Sequence, residues 1–163
     1  TDTQDLDGEV IRTASYDGIT EEMLKDAFAS FVGDILQTPP MVSAKKKDGE
    51  RLYDLARKGI EVKRDPLPVT IHSIDVTRVE MPYADFVVSC SKGTYVRTLC
   101  ADIGEKLGCG ACLHSLNRLR SGEFDLADAY EIETMRTWEQ PELDAAITDF
   151  LHRKLARMNL SAF

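Results

Sequence analysis

The chain contains 163 residues, of which 43% are hydrophobic and 29% are charged; this composition is typical of a globular domain and excludes a disordered chain. No apolar segment reaches the roughly 20 residues that span a membrane, and the acidic N-terminus lacks a signal-peptide pattern. The four cysteines stand in a chain without a secretion signal, which predicts a cytoplasmic protein with reduced thiols.

The charge is distributed unevenly along the chain. The formal net charge of −8 argues against a protein that coats nucleic acid with its whole surface. Residues 45–120, however, hold 14 Lys and Arg against 10 Asp and Glu, whereas the two flanks together hold 6 against 18. A basic middle between acidic ends fits a local anionic ligand, although basic side chains that only solvate a surface would give the same pattern.

The first part of the chain predicts a strand, a helix and a second extended segment. Residues 8–15 have the pattern of a short strand. Thr20 is a suitable N-cap for an amphipathic helix that ends at Gly33. Residues 34–37 are expected to be extended, because the proline pair at 39–40 forbids helix there.

A basic excursion over residues 39–64 follows these elements. It contains an Asp-Gly turn at 48–49 and a short helix over 50–58. A solvated surface hairpin is one interpretation of this segment, and a surface that contacts an anionic partner is the other.

The remaining elements alternate between extended and helical patterns. They are predicted in the order strand, strand, helix, extended segment, helix and helix, over residues 67–79, 84–89, 94–107, 111–124, 132–138 and 141–155. Strands and helices alternate without regular βαβ spacing. This order predicts an α+β fold with a mixed, mainly antiparallel sheet and flanking helices.

Arg97 is the first candidate for a functional residue. It lies in the first turn of the helix predicted over 94–107, where the positive end of the helix dipole makes a cation cost roughly 0.3–1 kcal/mol. Lys92 adds a second positive charge just before this helix. A phosphate or a carboxylate would offset this cost; alternatively, Arg97 reaches outward to Asp102 or a neighbouring acid.

Three other motifs give weaker signals. The segment 89–92 matches the SxxK pattern of a serine hydrolase, but it ends a strand, whereas that motif needs both residues on a helix. The segment 92–94 has the wrong order and glycine spacing for a P-loop. Cys109 and Cys112 have CxxC spacing and raise a zinc or redox hypothesis, although a structural zinc site usually needs two such pairs.

Four blocks of the sequence follow one another in the order found in a known enzyme family. They are TDT at 1–3 with Asp5 and Gly8, FVGDILQTPP at 31–40 with matches to residue 59, SKGTYVRT at 91–98 with matches to residue 111, and LNR at 116–118 with Gly122 and Phe124. These blocks resemble the TruB-type tRNA pseudouridine synthases. The resemblance implies that a uridine in the T loop of tRNA is flipped out and isomerised without a cofactor or a metal, with an aspartate as the nucleophile.

The resemblance also implies roles for individual residues of this sequence. Arg97 matches the arginine that pairs with the nucleophilic aspartate, and Asp5 matches an acidic residue of the same network. Tyr95 matches a tyrosine that lines the base pocket, and Leu116 matches an apolar residue that packs against it. These four residues are therefore expected to lie at the active site.

The basic excursion acquires a role from the same resemblance. Residues 39–64 resemble a thumb-like insertion that grips the RNA, and we refer to them as the thumb. Three basic side chains are expected to bind RNA: Lys45, Lys92 and Arg118. Val42 and Asn117 replace a tyrosine and an arginine that are usual in the family, which is expected to weaken contacts with RNA.

The resemblance implies a partial catalytic domain over residues 1–129, followed by a C-terminal helical extension of the same domain over 130–163. The family's nucleophilic aspartate precedes the block matched at the N-terminus, so we expect this chain to need that segment as a partner. We also expect a C-terminal RNA-binding domain of the family to be absent. The chain would then supply the substrate-positioning half of the site and be inactive by itself; a non-catalytic RNA-binding module is the alternative.

Overall fold

The computed structural model describes residues 1–47 and 49–160, with side chains as far as residue 156. The helices and strands are, in order, α1 Glu21–Ala29, β1 Gly33–Gln37, β2 Lys46–Lys47, β3 Glu50–Arg51, α2 Leu52–Arg57, β4 Leu67–Glu80, β5 Tyr83–Cys90, α3 Val96–Leu107, β6 Arg120–Ser121, β7 Phe124–Asp125, a 3-10 turn Leu126–Asp128, α4 Ile132–Met135 and α5 Gln140–Leu160. The chain divides into two compact units, Thr1–Ser115 and Leu116–Phe163.

Three antiparallel strands form the main sheet of the first unit. The central strand β4 pairs with β1 on one side and with β5 on the other. The register of β1 and β4 aligns Gly33 with Ile71 and Gln37 with Leu67. The prediction of an α+β fold with a mainly antiparallel sheet and flanking helices is confirmed.

The core of the first unit lies where α1 and α3 pack against the sheet. It is formed by the buried residues Leu24, Ala27, Phe28, Ile71, Leu99 and Ile103. Ile71 and Leu99 are fully buried, and burial of each side chain stabilises the fold by roughly 1.5–3 kcal/mol. The apolar spacing that predicts α3 therefore marks the face by which this helix is held on the sheet.

The first 33 residues depart from the prediction in two places. The Thr20 hydroxyl accepts the N–H of Met23 and caps α1 as expected, but the helix ends at Ala29. Gly33, with a φ of 112°, begins β1 instead of ending the helix. The predicted strand over 8–15 is wrong, because an apolar run becomes a strand only beside a pairing partner and no described strand pairs with it.

The thumb is a compact excursion whose two ends meet. A hairpin of two strands with two residues each, β2 and β3, leads directly into α2. Asp48 of the predicted turn lies outside the described residues. At the base, Arg64 Nη1 donates to the carbonyl oxygen of Pro39 at 3.2 Å. Leu52 and Leu55 of α2 are buried, so the thumb has an apolar interior and is more than a solvated hairpin.

Gly104 marks a close approach between α3 and the loop that follows it. A Cβ atom placed on Gly104 would collide with backbone atoms of Gly110 and Ala111. The carbonyl oxygen of Gly104 also accepts the N–H of Gly110 at 2.9 Å. Glycine at this position lets the chain turn back against α3 after Gly108, whose φ of 81° ends the helix.

The second unit consists of a short hairpin and two helices. Gly122, with a φ of 60°, turns β6 into β7. Phe124 of β7 stacks on Phe150 of α5 with 5.8 Å between ring centroids. Arg153 of α5 pairs with Asp128 at 2.8 Å, so the long helix is held against the hairpin by both apolar and ionic contacts.

After residue 110, the predicted elements differ in length from the elements of the structure. Within the extended prediction over 111–124, the strands are β6 and the first residue of β7, and α4 stops at Met135. The final helix is longer than expected, because it runs over Gln140–Leu160. The compact units divide at residue 115, and the domain boundary at residue 129 stays a prediction. None of the described helices is long and apolar enough to cross a membrane.

Candidate active site

Arg97 joins three segments of the first unit at the start of α3. Its Nη1 donates to Asp5 Oδ2 at 2.8 Å and to the carbonyl oxygen of Thr3 at 3.4 Å. Its Nη2 donates to the carbonyl oxygen of Val42 in the thumb at 2.7 Å. The ion-pair partner of Arg97 is thus Asp5 and not Asp102, and the side chains of the pair are only 24% and 19% exposed.

Two N–H groups of Arg97 are left for a further acceptor. A guanidinium carries five N–H donors, and within the described part of the chain Arg97 uses three of them. The anion expected at the start of α3 is therefore present as Asp5, and two donors of the guanidinium make no hydrogen bond with the described residues.

Asp5 is a carboxylate whose two oxygens accept three donors. Besides Arg97, it accepts the Thr3 hydroxyl at 2.5 Å and the backbone N–H of Asp7 at 3.2 Å. The hydrogen bond from Thr3, together with Arg97, holds the pKa of Asp5 below its ordinary value and outweighs the opposing effect of burial. A carboxylate stabilised in this way is a fixed counter-charge and a poor nucleophile.

The Asp5–Arg97 pair is expected to make stability depend on pH. Replacing Asp5 with asparagine should lower the free energy of unfolding by about 1–3 kcal/mol at neutral pH, because Arg97 loses its ionic partner. The folded-state pKa is lowered, so the carboxylate stabilises the fold above the ordinary pKa of 3.8 and loses this effect as the pH falls further. The unfolding free energies of the full-length protein and the variant should therefore begin to converge below about pH 4 and become equal only below the lowered pKa of Asp5, as denaturant unfolding across this range would show.

Asp7→Asn is the matched control for this measurement, because the Asp7 side chain is exposed. It should leave the free energy of unfolding unchanged within about 0.5 kcal/mol. An Asp5→Asn effect that persists undiminished in acid would contradict the ionic explanation.

Gln4 has an unusual backbone conformation and anchors the loop that carries Asp5. Its φ of 66° is uncommon for a residue other than glycine. The Gln4 side chain accepts the hydroxyl of Thr98 at 2.8 Å, and its carbonyl oxygen accepts the N–H of Leu113 at 2.9 Å. Two successive residues of α3, Arg97 and Thr98, therefore hold two successive residues of this loop.

A cleft of about 590 Å³ lies between the start of α3 and the thumb. It is lined by Asp2, Val42, Ser43, Ala44, Tyr53, Ala56, Arg57, Tyr95 and Arg97. Tyr53 lies close to two guanidinium groups, with Arg51 at 5.7 Å and Arg57 at 5.4 Å from the ring centroid. The thumb wall of the cleft thus offers an aromatic ring within a positive field, which suits an anionic ligand with flat bases.

Gln37 is the residue of this region that the sequence did not predict. It is 2% exposed, its Oε1 accepts the backbone N–H of Tyr95 at 2.7 Å, and its Nε2 donates to the carbonyl oxygen of Tyr95 at 3.1 Å. A polar side chain that ends a half-buried strand was the available signal, but no local pattern identifies a partner 58 residues away.

Comparison with known proteins gives a match over nearly the whole chain. A model of the N-terminal domain of TruB family pseudouridylate synthases matches residues 1–96, and a model of the C-terminal domain of tRNA pseudouridylate synthase B matches residues 97–154. The chain belongs to the TruB family. The resemblance of the four sequence blocks is thereby confirmed.

Two bacterial proteins are similar in sequence to this TruB chain over most of its length. The tRNA pseudouridine synthase B of Syntrophotalea carbinolica is 49% identical over 154 residues, which cover 93% of this chain and 50% of that protein. The corresponding protein of Clostridium tetani is 48% identical over 133 residues, which cover 82% of this chain and 46% of that protein. The chain spans about half the length of the curated relatives it matches.

A solved structure is similar as well. The match is to the crystal structure of a Cbf5–Nop10–Gar1 complex, with a TM-score of 0.54 and 30% identity over 68% of this chain and 29% of that chain. This match supports an α+β pseudouridine synthase fold for the chain.

Four other predicted site residues of the TruB chain lie in a loop, in the thumb or in the second unit. Lys92 is exposed in the loop before α3, and Lys45 is exposed in the thumb; neither lines the cleft. Leu116 and Arg118 are exposed residues of the second unit. The RNA-binding roles of the three basic residues stay predictions. The same holds for the base pocket formed by Tyr95 and Leu116 and for the catalytic roles of Arg97 and Asp5.

The CxxC segment of the TruB chain has no metal cluster around it. All four cysteines are free, and the described residues contain no group of three or more side chains placed to hold a metal ion. Burial raises the pKa of the Cys100 thiol to about 12, which makes it unreactive. The zinc or redox hypothesis for Cys109 and Cys112 therefore gains no support from their surroundings.

Proposed function

We propose that the full-length protein containing this chain is a tRNA pseudouridine synthase that acts on a uridine of the T loop. The observation that carries the proposal is the cleft in which Arg97, paired with Asp5, lies beside Tyr95 and opposite the basic thumb. The relatives named above are tRNA pseudouridine synthases B, and their substrate class is the one we propose for this protein.

The proposed reaction exchanges one bond of the uridine for another. The bond from C1′ of the ribose to N1 of the base breaks, the base turns, and a bond from C1′ to C5 forms. The proton on C5 is lost to solvent and N1 gains a proton, so the reaction is an isomerisation that needs no cofactor. The target base must first leave the stacked T loop, which costs a few kcal/mol.

The residues of this chain would position the reacting groups. We propose that the nucleophilic aspartate comes from another part of the full-length protein and contacts the two remaining N–H groups of Arg97. The three donors that hold Asp5 support this assignment, because they and the lowered pKa make its carboxylate a weak nucleophile. Tyr95 would form the wall of the base pocket, and the thumb would supply RNA contacts that offset the cost of flipping.

Tritium release from tRNA labelled at C5 of uridine tests the proposal directly. We expect the full-length protein to release tritium stoichiometrically with the pseudouridine formed. A folded full-length protein that binds tRNA and releases no tritium would contradict the proposed activity. We expect residues 1–163 alone to give no release, and turnover by this chain would place the nucleophile within it.

The alternative is a non-catalytic RNA-binding module, which the arginines beside Tyr53 favour. Filter binding of tRNA across a salt series shows whether an inactive protein still binds tRNA. Phosphate contacts would make its affinity fall as the salt concentration rises. Salt-dependent binding without tritium release would favour the module.

We further propose a cytoplasmic location, in keeping with the four free cysteines.

A further inference from the structure

Gln37 connects the strand before the thumb to the residue before α3. It is the last residue of β1, and its carboxamide forms two hydrogen bonds with the backbone of Tyr95, at 2.7 and 3.1 Å. The pair resembles one rung of an antiparallel ladder, with a side-chain amide in place of a strand. With only 2% of Gln37 exposed, water does not compete for either bond.

The two bonds fix the orientation of Tyr95. Its N–H belongs to the peptide plane before the Tyr95 Cα atom, and its carbonyl oxygen belongs to the plane after it. Holding both planes sets φ and ψ of Tyr95, which are −100° and 106°, and thereby the direction in which the side chain leaves the backbone. Tyr95 is the N-cap of α3, and its carbonyl oxygen also accepts the N–H of Leu99 at 3.0 Å. Gln37 therefore shares the plane after Tyr95 with the helix, and its carboxamide oxygen holds the plane before Tyr95.

The constrained ring lies in the candidate active site. Tyr95 lines the same cleft as Arg97, which follows it by two residues at the start of α3. A change in the Tyr95 backbone would therefore alter both the wall of the cleft and the first turn that carries Arg97.

We infer that Gln37 is a positioning residue of the active site, whose carboxamide holds the Tyr95 ring in the direction needed for the flipped base. The inference rests on the proposed pseudouridine synthase activity. Gln37 acts only through Tyr95, so its loss should impair turnover of bound tRNA more than the binding of tRNA itself.

Gln37→Glu in the full-length protein tests this role through pH. An ionised glutamate accepts the Tyr95 N–H but has no proton to donate to the Tyr95 carbonyl oxygen, whereas a protonated glutamate does both. Burial raises the pKa of such a carboxyl. We expect kcat for tritium release to be about tenfold below that of the unsubstituted protein at pH 8. We expect most of this loss to be recovered near pH 5.5, with KM for tRNA changed less than about twofold.

Two further variants serve as controls. Gln37→Met has similar size and neither hydrogen-bonding group, so its kcat should stay low at every pH. Gln140→Glu adds the same charge at an exposed position of α5 and should leave kcat and KM unchanged. Each variant is assayed at a temperature at which circular dichroism shows it folded.

The outcomes separate the inference from the proposed function. An unsubstituted protein without tritium release contradicts the proposed function. If it is active, the inference is contradicted by a Gln37→Glu protein that matches it at every pH, by one equally impaired at every pH, or by a change confined to KM. Recovery in acid for Gln37→Glu and not for Gln37→Met supports the inference.

Discussion

Replacing Arg97 with lysine in the full-length protein is expected to lower kcat by about a hundredfold, which corresponds to roughly 2.7 kcal/mol. Lysine keeps the positive charge but has a compact ammonium in place of a planar fork of donors. It lacks the planar geometry with which the Arg97 guanidinium reaches both the Asp5 carboxylate and the Val42 carbonyl, and it would have fewer donors for the proposed aspartate. Steady-state tritium release measures kcat and KM separately.

Arg78→Lys is the control for this substitution. Arg78 lies in β4, is 65% exposed and forms ion pairs only at the surface, so its replacement should leave kcat unchanged. The Arg97→Lys protein should also remain folded, since the charge opposite Asp5 is kept. A variant with full kcat would show that the donor geometry of Arg97 is dispensable, and a raised KM with full kcat would place Arg97 in tRNA binding alone.

Replacing Gly104 with alanine is expected to lower the free energy of unfolding by about 2–3 kcal/mol, because the added methyl group overpacks a well-filled site. The direction of the change distinguishes two effects, since helix propensity alone predicts that the same substitution raises the free energy of unfolding by about 1 kcal/mol. The atoms in the way belong to the backbone of Gly110 and Ala111, which cannot rotate aside as a side chain would. Denaturant unfolding of the full-length protein, followed by circular dichroism, measures the change.

Glu105→Ala provides the comparison for Gly104→Ala. Glu105 is the next residue of α3, is exposed, and has nearly the same helix propensity as alanine. Its replacement should change the free energy of unfolding by less than about 0.5 kcal/mol. A Gly104→Ala protein as stable as the original would mean that the loop after α3 lies further from the helix than the structure places it.

The elements that could be predicted are those whose signals are local. The helix α3 and the strands β4 and β5 can be predicted from apolar spacing that repeats within a few residues. The start of α1 can be predicted because Thr20 is a favourable N-cap residue. The strand predicted over 8–15 fails because strand formation needs a partner that the pattern does not contain. Helix ends were displaced for a similar reason: Gly33 permits either a helix end or the start of a strand, and pairing with β4 decides between them.

The candidate site was predictable only in part. A cation at the positive end of α3 is visible in the sequence as Arg97, and the need for an anion follows from electrostatics. The identity of that anion does not follow, because Asp5 lies 92 residues away; only the family resemblance pointed to it. The contacts of Arg97 with the Val42 carbonyl and of Gln37 with Tyr95 involve backbone atoms, which every residue possesses, so no residue type reveals them in advance.

The closed base of the thumb has a consequence for how this fold can diversify. The hydrogen bond from Arg64 to Pro39 joins the ends of the excursion beside the paired strands β1 and β4. The entropy of closing a loop grows with the logarithm of its length, so that doubling the loop costs only about 0.6 kcal/mol. Insertions and deletions within the thumb therefore leave the sheet almost untouched, and they leave the cleft intact where they spare its lining at residues 42–44, 53, 56 and 57.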